Sequence, residues 1–265
     1  MSNVIEEKPR DLLTFPEGLS HQALQALASR KALIVRIPEF MSTAQCDLIA
    51  RGLRSQGFGY VSGWIGTPFP SLFSFGATRA AIDHYFATAL SNIRVLRDAC
   101  APYPSPIDVF RCVVDELWPS GAGLQSLFGR KMFVGMSCNL RADMPFLAQH
   151  DLFARLVHCD PQATDVLMHL AASVYVNVPQ QGGELMMWRD EITDAEFLRR
   201  RGDKHGMDIE PLGAPDIVVK PQMGDLILFN ARKLHAVAPG AGSDRLTLSC
   251  FLGFRGDSHP LTFWS

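Results

Sequence analysis

The sequence predicts an α+β protein, mainly β, in which a sandwich or jelly roll carries helices on its outside. Periodicity before residue 131 is mostly helical, whereas the chain after it changes to alternating or continuous apolar runs separated by glycine and proline. Hydrophobic residues make up 47% and charged residues 20% of the 265 residues, so the chain can bury a large core. We therefore expect one structural domain, with a helical elaboration over 1–130 and the β core over 131–265.

Helices dominate the predicted elements of the first half. Ser20 predicts the N-cap of the first helix. Residues 63–76 are rich in glycine, proline and aromatic residues, which is typical of a long loop that covers a pocket. Four helices and one strand are predicted here, the helices over 21–30, 42–57, 79–100 and 105–118 and the strand over 32–37.

Short strands dominate the second half. A single helix over Thr193–Arg201, which begins with a capping threonine, interrupts them. The strands are predicted over 132–138, 146–150, 153–158, 170–178, 184–188, 217–220, 225–230 and 245–254.

Composition excludes several classes of protein. There are 25 basic and 27 acidic residues and a net charge of −2, which argues against a nucleic-acid binder that neutralises phosphates. The longest apolar stretch, Val166–Val176, is interrupted by His169 and is far shorter than the roughly 18 residues of a membrane span. Acidic residues lie where a secretory signal would be basic, so we expect a cytoplasmic protein.

One candidate metal-binding motif is His158-Cys-Asp160, at the end of a predicted strand. Side chains at positions i and i+2 of a strand point the same way, so this imidazole and carboxylate can converge on one ion. Such a triplet arises by chance in many chains and needs structural context. His235 supplies that context, because it lies beside a later predicted strand. Two histidines and one carboxylate on facing sheets form the triad that holds Fe(II) with three positions open.

A candidate anion site follows ten residues later, at Arg245 and Thr247 on the next predicted strand. An arginine within an apolar run needs a buried anionic partner. Asp244 or Asp225 could pair with Arg245 in an ordinary strand. The alternative is a cosubstrate carboxylate, because a guanidinium beside a hydroxyl is suited to the far end of a dicarboxylic 2-oxo acid.

The ordered set of motifs resembles the Fe(II)/2-oxoglutarate-dependent oxygenases over the second half of the chain. The first half and the terminal Phe263-Trp-Ser265 are similar to the carrier-independent halogenases and hydroxylases that modify free small molecules. The resemblance implies a cupin-like double-stranded β-helix, with iron at His235 plus a proximal histidine and aspartate. It also implies 2-oxoglutarate held by Arg245 and Thr247, with O₂ as the second cosubstrate. The motifs are His158-x-Asp160, Val174–Asn177, Gly182–Leu185, Gly224–Phe229, His235 and Arg245-x-Thr247.

The resemblance leaves two proximal ligand sets open. In the similar subfamily the proximal histidine follows a short hairpin, a length that fits His150, whereas His158 needs a hairpin about eight residues longer. The position two after His150 is Leu152, which would leave a place for chloride unless a bulge brings Asp151 to the metal. His158 with Asp160 gives a full triad without special geometry.

Three functions follow from these residues. The first is hydroxylation of an unactivated C–H bond of a free small molecule, such as an amino-acid derivative or a natural-product intermediate. The second is halogenation on the same scaffold, and the third is a noncatalytic jelly-roll binding module. A small-molecule substrate is the only partner that the sequence predicts. The sequence does not indicate the oligomeric state.

Overall fold

A computed structural model describes residues 10–55, 60–61, 65–66, 78–153 and 165–265 of the chain. Residues 154–158 of the predicted strand over 153–158 and most of the predicted loop over 63–76 lie outside the described residues. No helix among the described residues is both long and apolar enough to span a bilayer.

Five α-helices lie within the described residues, most of them before the core strands. Side-chain caps begin α1, α3 and α5, because Ser20, Thr78 and Thr193 each accept a hydrogen bond from a backbone N–H three residues on. The helices are α1 (His21–Ala28), α2 (Thr43–Ser55), α3 (Arg79–Cys100), α4 (Pro106–Leu117) and α5 (Asp194–Arg201), and a 3₁₀ turn covers Glu210–Leu212.

The strands belong mostly to two sheets. The large sheet has ten strands in the order β1-β2-β14-β10-β17-β8-β4-β3, with β18 on β17 and β5 on β18, and the small sheet runs β13-β12-β15-β9. In chain order the strands are β1 (Arg10–Thr14), β2 (Ala32–Ile37), β3 (Tyr60–Val61), β4 (Ile65–Gly66), β5 (Ala122–Leu124), β6 (Ser126–Leu127), β7 (Arg130–Lys131), β8 (Met136–Leu140), β9 (Phe146–Gln149), β10 (Met168–Asn177), β11 (Gln181–Gly182), β12 (Leu185–Met187), β13 (Ile217–Val219), β14 (Leu226–Asn230), β15 (His235–Val237), β16 (Gly240–Ala241), β17 (Arg245–Phe254) and β18 (Leu261–Trp264).

Two apolar cores lie on opposite faces of the large sheet. On β10, Leu170 and Val174 belong to a helix-side core, whereas Ala171 and Tyr175 belong to an inter-sheet core. The small sheet contributes residues such as Met187 to the inter-sheet core, so the two sheets pack face to face. A third group, which we call the outer cluster, covers the far face of the small sheet and consists of Ala148, Trp188, Phe197, Met207, Leu234 and Ala236.

The predicted mixture of helices and a β core is confirmed, with a large sheet in that core, whereas the jelly roll stays a prediction. Strands β1 and β2 come from the first half of the chain and extend the large sheet, because β2 pairs with β14. The sequence analysis did not anticipate β1, β5, β15 or β18, nor the strands of two residues. The division of the chain into 1–130 and 131–265 stays a prediction.

Candidate metal and cosubstrate site

His235 lies between the two sheets and is 6% exposed. It is the first residue of β15 and is the cross-strand partner of Met187, which belongs to the inter-sheet core. Its Nδ1 is 3.0 Å from the carbonyl oxygen of Lys233. Because a carbonyl oxygen only accepts, Nδ1 carries the proton and Nε2 keeps a lone pair for a metal ion.

Asp151 provides a carboxylate next to that lone pair. Its Oδ2 is 3.6 Å from His235 Nε2, and its backbone N–H donates to the Ala231 carbonyl oxygen at 2.7 Å. Two donor atoms that each lie about 2.1 Å from a shared ion at a right angle are about 3 Å apart. The two side chains therefore have nearly the spacing of two ligands of one metal.

His150 points to the other face of the small sheet. Its ring lies 4.5 Å from the Phe197 ring, and its Nε2 is 3.8 Å from Asp194 Oδ1. Successive residues of an extended strand point in opposite directions, so placing Asp151 beside His235 turns His150 toward α5. Of this predicted pair, the structure brings only Asp151 to His235.

His158 and Asp160 lie outside the described residues, so their pairing with His235 stays a prediction. Among the described residues, no third His, Cys, Asp or Glu side chain completes a metal-binding group.

Gln149 is a residue that the sequence analysis missed. It lies directly opposite His235 in the pairing of β9 with β15. Since it is two residues before Asp151, its side chain points to the same face as that carboxylate. A glutamine at this spacing carries no recognised signal, and only the register of the strands reveals its position.

His169 lies on the same face of β10 as Ala171 and is 2% exposed. Burial, with the nearby charges of His235 and Arg232, lowers the pKa of His169 to about 3. The imidazole is therefore neutral at physiological pH. Its ring lies 4.6 Å from that of Phe251, so His169 packs against an aromatic side chain.

Arg245 begins β17 at the other end of the space between the sheets. Its Nη2 donates to the Tyr175 hydroxyl at 3.3 Å, and its guanidinium carbon lies 5.1 Å from the centroid of that ring. Asp225 pairs instead with Arg36 at 2.8 Å. The buried Nε of Arg245 has no hydrogen-bond partner among the described residues. A buried donor of this kind fits a ligand carboxylate.

Thr247 and Cys138 form the wall beside Arg245. They lie opposite each other in the pairing of β8 with β17, and Thr247 is 2% exposed. Burial raises the pKa of the Cys138 thiol to about 11, although the Arg245 charge lowers it. The thiol therefore stays protonated, and Arg245 keeps its positive charge available to an anion.

The described residues fit a divalent metal ion beside an anionic ligand. His235 and Asp151 offer an imidazole nitrogen and a carboxylate oxygen, and Arg245 offers an unmatched buried donor. That donor set supplies one imidazole and one carboxylate of the predicted triad, and the second histidine stays a prediction.

Comparison with known proteins shows which proteins the chain is similar to. The family model described as carrier-protein-independent halogenase WelO5 matches residues 158–265. A curated relative, L-gamma-glutamyl-L-propargylglycine hydroxylase of Streptantibioticus cattleyicolor, is 30% identical over 166 residues, which span 61% of this chain and 59% of that protein. The predicted family resemblance is confirmed. The chain is similar both to these halogenases and to a hydroxylase.

Solved structures show the fold that accompanies this family resemblance. An N-substituted L-amino acid dioxygenase from Burkholderia ambifaria AMMD has a TM-score of 0.63 and 17% identity, over 92% of this chain and 91% of that one. The same enzyme in complex with alpha-KG has a TM-score of 0.61 and 18% identity over the same shares. The structural similarity covers 92% of this chain and therefore includes both the helices and the sheets.

Proposed function

We propose that this protein is an Fe(II)- and 2-oxoglutarate-dependent dioxygenase that hydroxylates an unactivated C–H bond of a free small molecule. The observation that carries the proposal is the approach of Asp151 Oδ2 to 3.6 Å from His235 Nε2, between the same sheets that hold Arg245. We also propose that the two sheets form a double-stranded β-helix, the fold that the family resemblance implies.

The side chains have separate roles in this proposal. When bound, iron and 2-oxoglutarate supply the oxidation, in which O₂ and the cosubstrate become succinate, CO₂ and the oxygen atom of the new hydroxyl group. His235 holds a metal through Nε2 because Lys233 fixes the proton on Nδ1. Asp151 contributes a negative charge that offsets part of the charge of the ion.

Arg245 and Thr247 orient the cosubstrate. The guanidinium binds the distal carboxylate through its unmatched Nε, and Tyr175 holds the guanidinium from its opposite side. The apolar inter-sheet core excludes bulk water, which strengthens each of these electrostatic contacts.

The substrate class follows from the relatives. One relative hydroxylates a gamma-glutamyl amino acid, and the structural neighbour oxidises N-substituted L-amino acids. We therefore propose an amino-acid derivative whose amine is acylated or alkylated.

Halogenation is the second candidate, because the matching family model describes halogenases. A halide needs an open metal position where a carboxylate would otherwise bind. Asp151 lies beside His235 and so favours hydroxylation.

Release of succinate from 2-oxoglutarate tests the function. The full chain is incubated with Fe(II), ascorbate and a panel of gamma-glutamyl and N-acyl amino acids, and product mass is compared in chloride and bromide buffers. Substrate-dependent succinate with a product 16 Da heavier is expected, since one oxygen atom is inserted. A halogenated product would instead establish the halogenase, and no succinate across the panel would favour a noncatalytic binding module.

A further inference from the structure

We propose that Ser249, held in place by Ser173, is a positioning residue that aims the Thr247 hydroxyl at the distal carboxylate of the cosubstrate. The inference rests on the proposed function and deepens it, because it concerns how the cosubstrate is bound. Neither serine belongs to the motif Arg245-x-Thr247 that the sequence analysis singled out. The anion site then extends further along β17 and onto β10.

The strand register places three hydroxyl groups on the inner face of the large sheet. Thr247 and Ser249 lie two residues apart on β17, so their side chains point the same way. In the pairing of β17 with β10, Thr247 is opposite Tyr175. Ser249 is opposite Ser173 in the same pairing. Because Tyr175 belongs to the inter-sheet core, the three hydroxyls face the space between the sheets.

The three hydroxyl groups form a row with a defined direction. Ser173 Oγ and Ser249 Oγ are 2.9 Å apart, and Ser249 Oγ donates to Thr247 Oγ1 at 3.5 Å. A hydroxyl group has a single proton. Since Ser249 directs its proton to Thr247, Ser173 is the donor in the shorter hydrogen bond. The proton of Thr247 itself is then available to another acceptor.

The open end of this row lies on the side of Arg245. Arg245 precedes Thr247 by two residues on the same face of β17, whereas Ser249 follows it by two. The Thr247 proton does not point at Ser249, because Ser249 already donates to that oxygen. It is therefore free to turn toward the Arg245 guanidinium, whose buried Nε has no partner among the described residues. A carboxylate in that place accepts from the hydroxyl and the guanidinium together.

Burial makes the row responsive to the ligand. Thr247 is 2% exposed and Ser173 is 7% exposed, so bulk water competes little for these hydroxyls. The 3.5 Å contact is longer than the usual distance of about 2.7–2.8 Å between hydroxyl oxygens. A carboxylate that accepts the Thr247 proton makes the threonine oxygen a better acceptor, because hydrogen bonds in a chain polarise one another. Cosubstrate binding should therefore strengthen the contact with Ser249.

A purely structural role of the two serines predicts a different result. Buried hydroxyls can pair simply to satisfy each other. In that case any effect of removing the Ser249 hydroxyl on cosubstrate affinity would be the same with or without the hydroxyl of Thr247. If Ser249 acts through Thr247, its effect must disappear once Thr247 has no hydroxyl to orient.

A double-mutant cycle tests the positioning role. The dissociation constant of 2-oxoglutarate is measured calorimetrically on the Mn(II)-loaded full chain, without oxygen, for wild type, Ser249→Ala, Thr247→Val and the double variant. We expect Ser249→Ala to raise this constant about three- to tenfold, as the loss of a neutral hydrogen bond does. In the Thr247→Val background the same change should have no further effect. Ser91→Ala, at an exposed serine of α3, is the control and should bind 2-oxoglutarate like wild type.

Ser173→Ala gives a second test that leaves the Ser249 hydroxyl in place. It removes the group that holds Ser249, so we expect the dissociation constant of 2-oxoglutarate to rise about twofold or more. This rise, too, should be absent in the Thr247→Val background. If Ser249→Ala fails to fold, as judged by its circular dichroism spectrum, the cycle of Ser173→Ala with Thr247→Val decides the question.

The outcomes separate the two proposals. Wild-type affinity for 2-oxoglutarate in the serine variants would overturn the positioning role, as would an equal loss of affinity with and without the Thr247 hydroxyl. Wild-type affinity in Thr247→Val would overturn it too, because the serines would then orient a hydroxyl that contributes nothing. Wild-type protein that binds Mn(II) but not 2-oxoglutarate would instead overturn the proposed function.

Discussion

Arg245 shows how one side chain can determine a ligand class. Its guanidinium is held by Tyr175 on one side, while its buried Nε has no partner among the described residues. An unmatched buried donor costs about 1–3 kcal/mol, a cost that a bound carboxylate removes. His235 differs, because its Nδ1 already donates to the Lys233 carbonyl oxygen.

Arg245→Lys keeps the positive charge and removes the planar fork. We expect the dissociation constant of 2-oxoglutarate to rise roughly tenfold or more, because a lysine cannot make the paired hydrogen bonds. Calorimetry on the Mn(II)-loaded protein without oxygen measures this constant. Arg141→Lys, at an exposed arginine of the neighbouring strand end, is the control. Equal affinities in Arg245→Lys and wild type would exclude Arg245 as the anchor.

Asp151→Ala removes the carboxylate that lies beside His235. We expect metal affinity and succinate release to fall at least a hundredfold, since a charged ligand is lost from a site with few donors. Asp143→Ala is the matched control, because Asp143 is an exposed aspartate that pairs with Arg141 just before β9. Retained turnover in Asp151→Ala, with loss of turnover in Asp160→Ala, would favour the His158–Asp160 set.

At the scale of elements, helices α2 and α3 come into close contact where Gly52 of α2 faces the backbone of α3. A Cβ added at Gly52 would lie 1.9 Å from the Ala99 carbonyl oxygen, a backbone atom that cannot move independently of its helix. The absence of a side chain at Gly52 therefore sets the distance between these two helices.

Gly52→Ala should force α2 away from α3. We expect the free energy of unfolding to fall by about 1–3 kcal/mol or more, as for other overpacked cores, although alanine has the higher helix propensity. Urea denaturation monitored by circular dichroism gives the difference. Gly123→Ala adds the same methyl group where no atom lies within 4 Å and should leave stability nearly unchanged. A Gly52→Ala protein as stable as wild type would show that the helices separate without cost.

Long helices and strands were predictable from the sequence because their apolar pattern repeats over many residues. The helix Arg79–Cys100 and the strand Arg245–Phe254 have the predicted bounds, since a long run of apolar positions averages over local exceptions. The terminal strand Leu261–Trp264 was missed, because four residues carry too little pattern. Its partners lie on β17 and β5, which local sequence does not reveal.

The candidate site was predictable only in part, because some of its residues belong to motifs and others are brought together by strand pairing. His235 and Arg245 follow from motif order along the chain, whereas the position of Asp151 beside His235 depends on a non-local register between two short strands. A one-residue slip of β9 would turn His150 inward and Asp151 outward. Residue types alone therefore suggested His150, whereas strand pairing brings Asp151 beside His235.

At the scale of the whole molecule, Tyr85 joins the helices to the β core. This α3 residue is 1% exposed. Its hydroxyl donates to the Ser265 carbonyl oxygen at 2.7 Å and accepts from the Phe133 backbone N–H at 3.0 Å. The helix-side core is continuous from α1 to β18, so helices and sheet have no separate interiors. Such a molecule should unfold as one unit.

Tyr85→Phe tests this coupling, because it removes both hydrogen bonds and keeps the ring. We expect unfolding to require about 1–3 kcal/mol less free energy, since buried backbone groups lose their partner. Far-UV circular dichroism reports the helices, and tryptophan fluorescence in a Trp64→Phe, Trp118→Phe background reports Trp188 and Trp264 in the β core. Their urea midpoints should fall together in Tyr85→Phe and stay at wild-type values in Tyr103→Phe, a tyrosine that is only partly buried. A shift confined to the circular dichroism signal would mean that the helical half and the β core unfold independently, contrary to the single structural domain predicted for this chain.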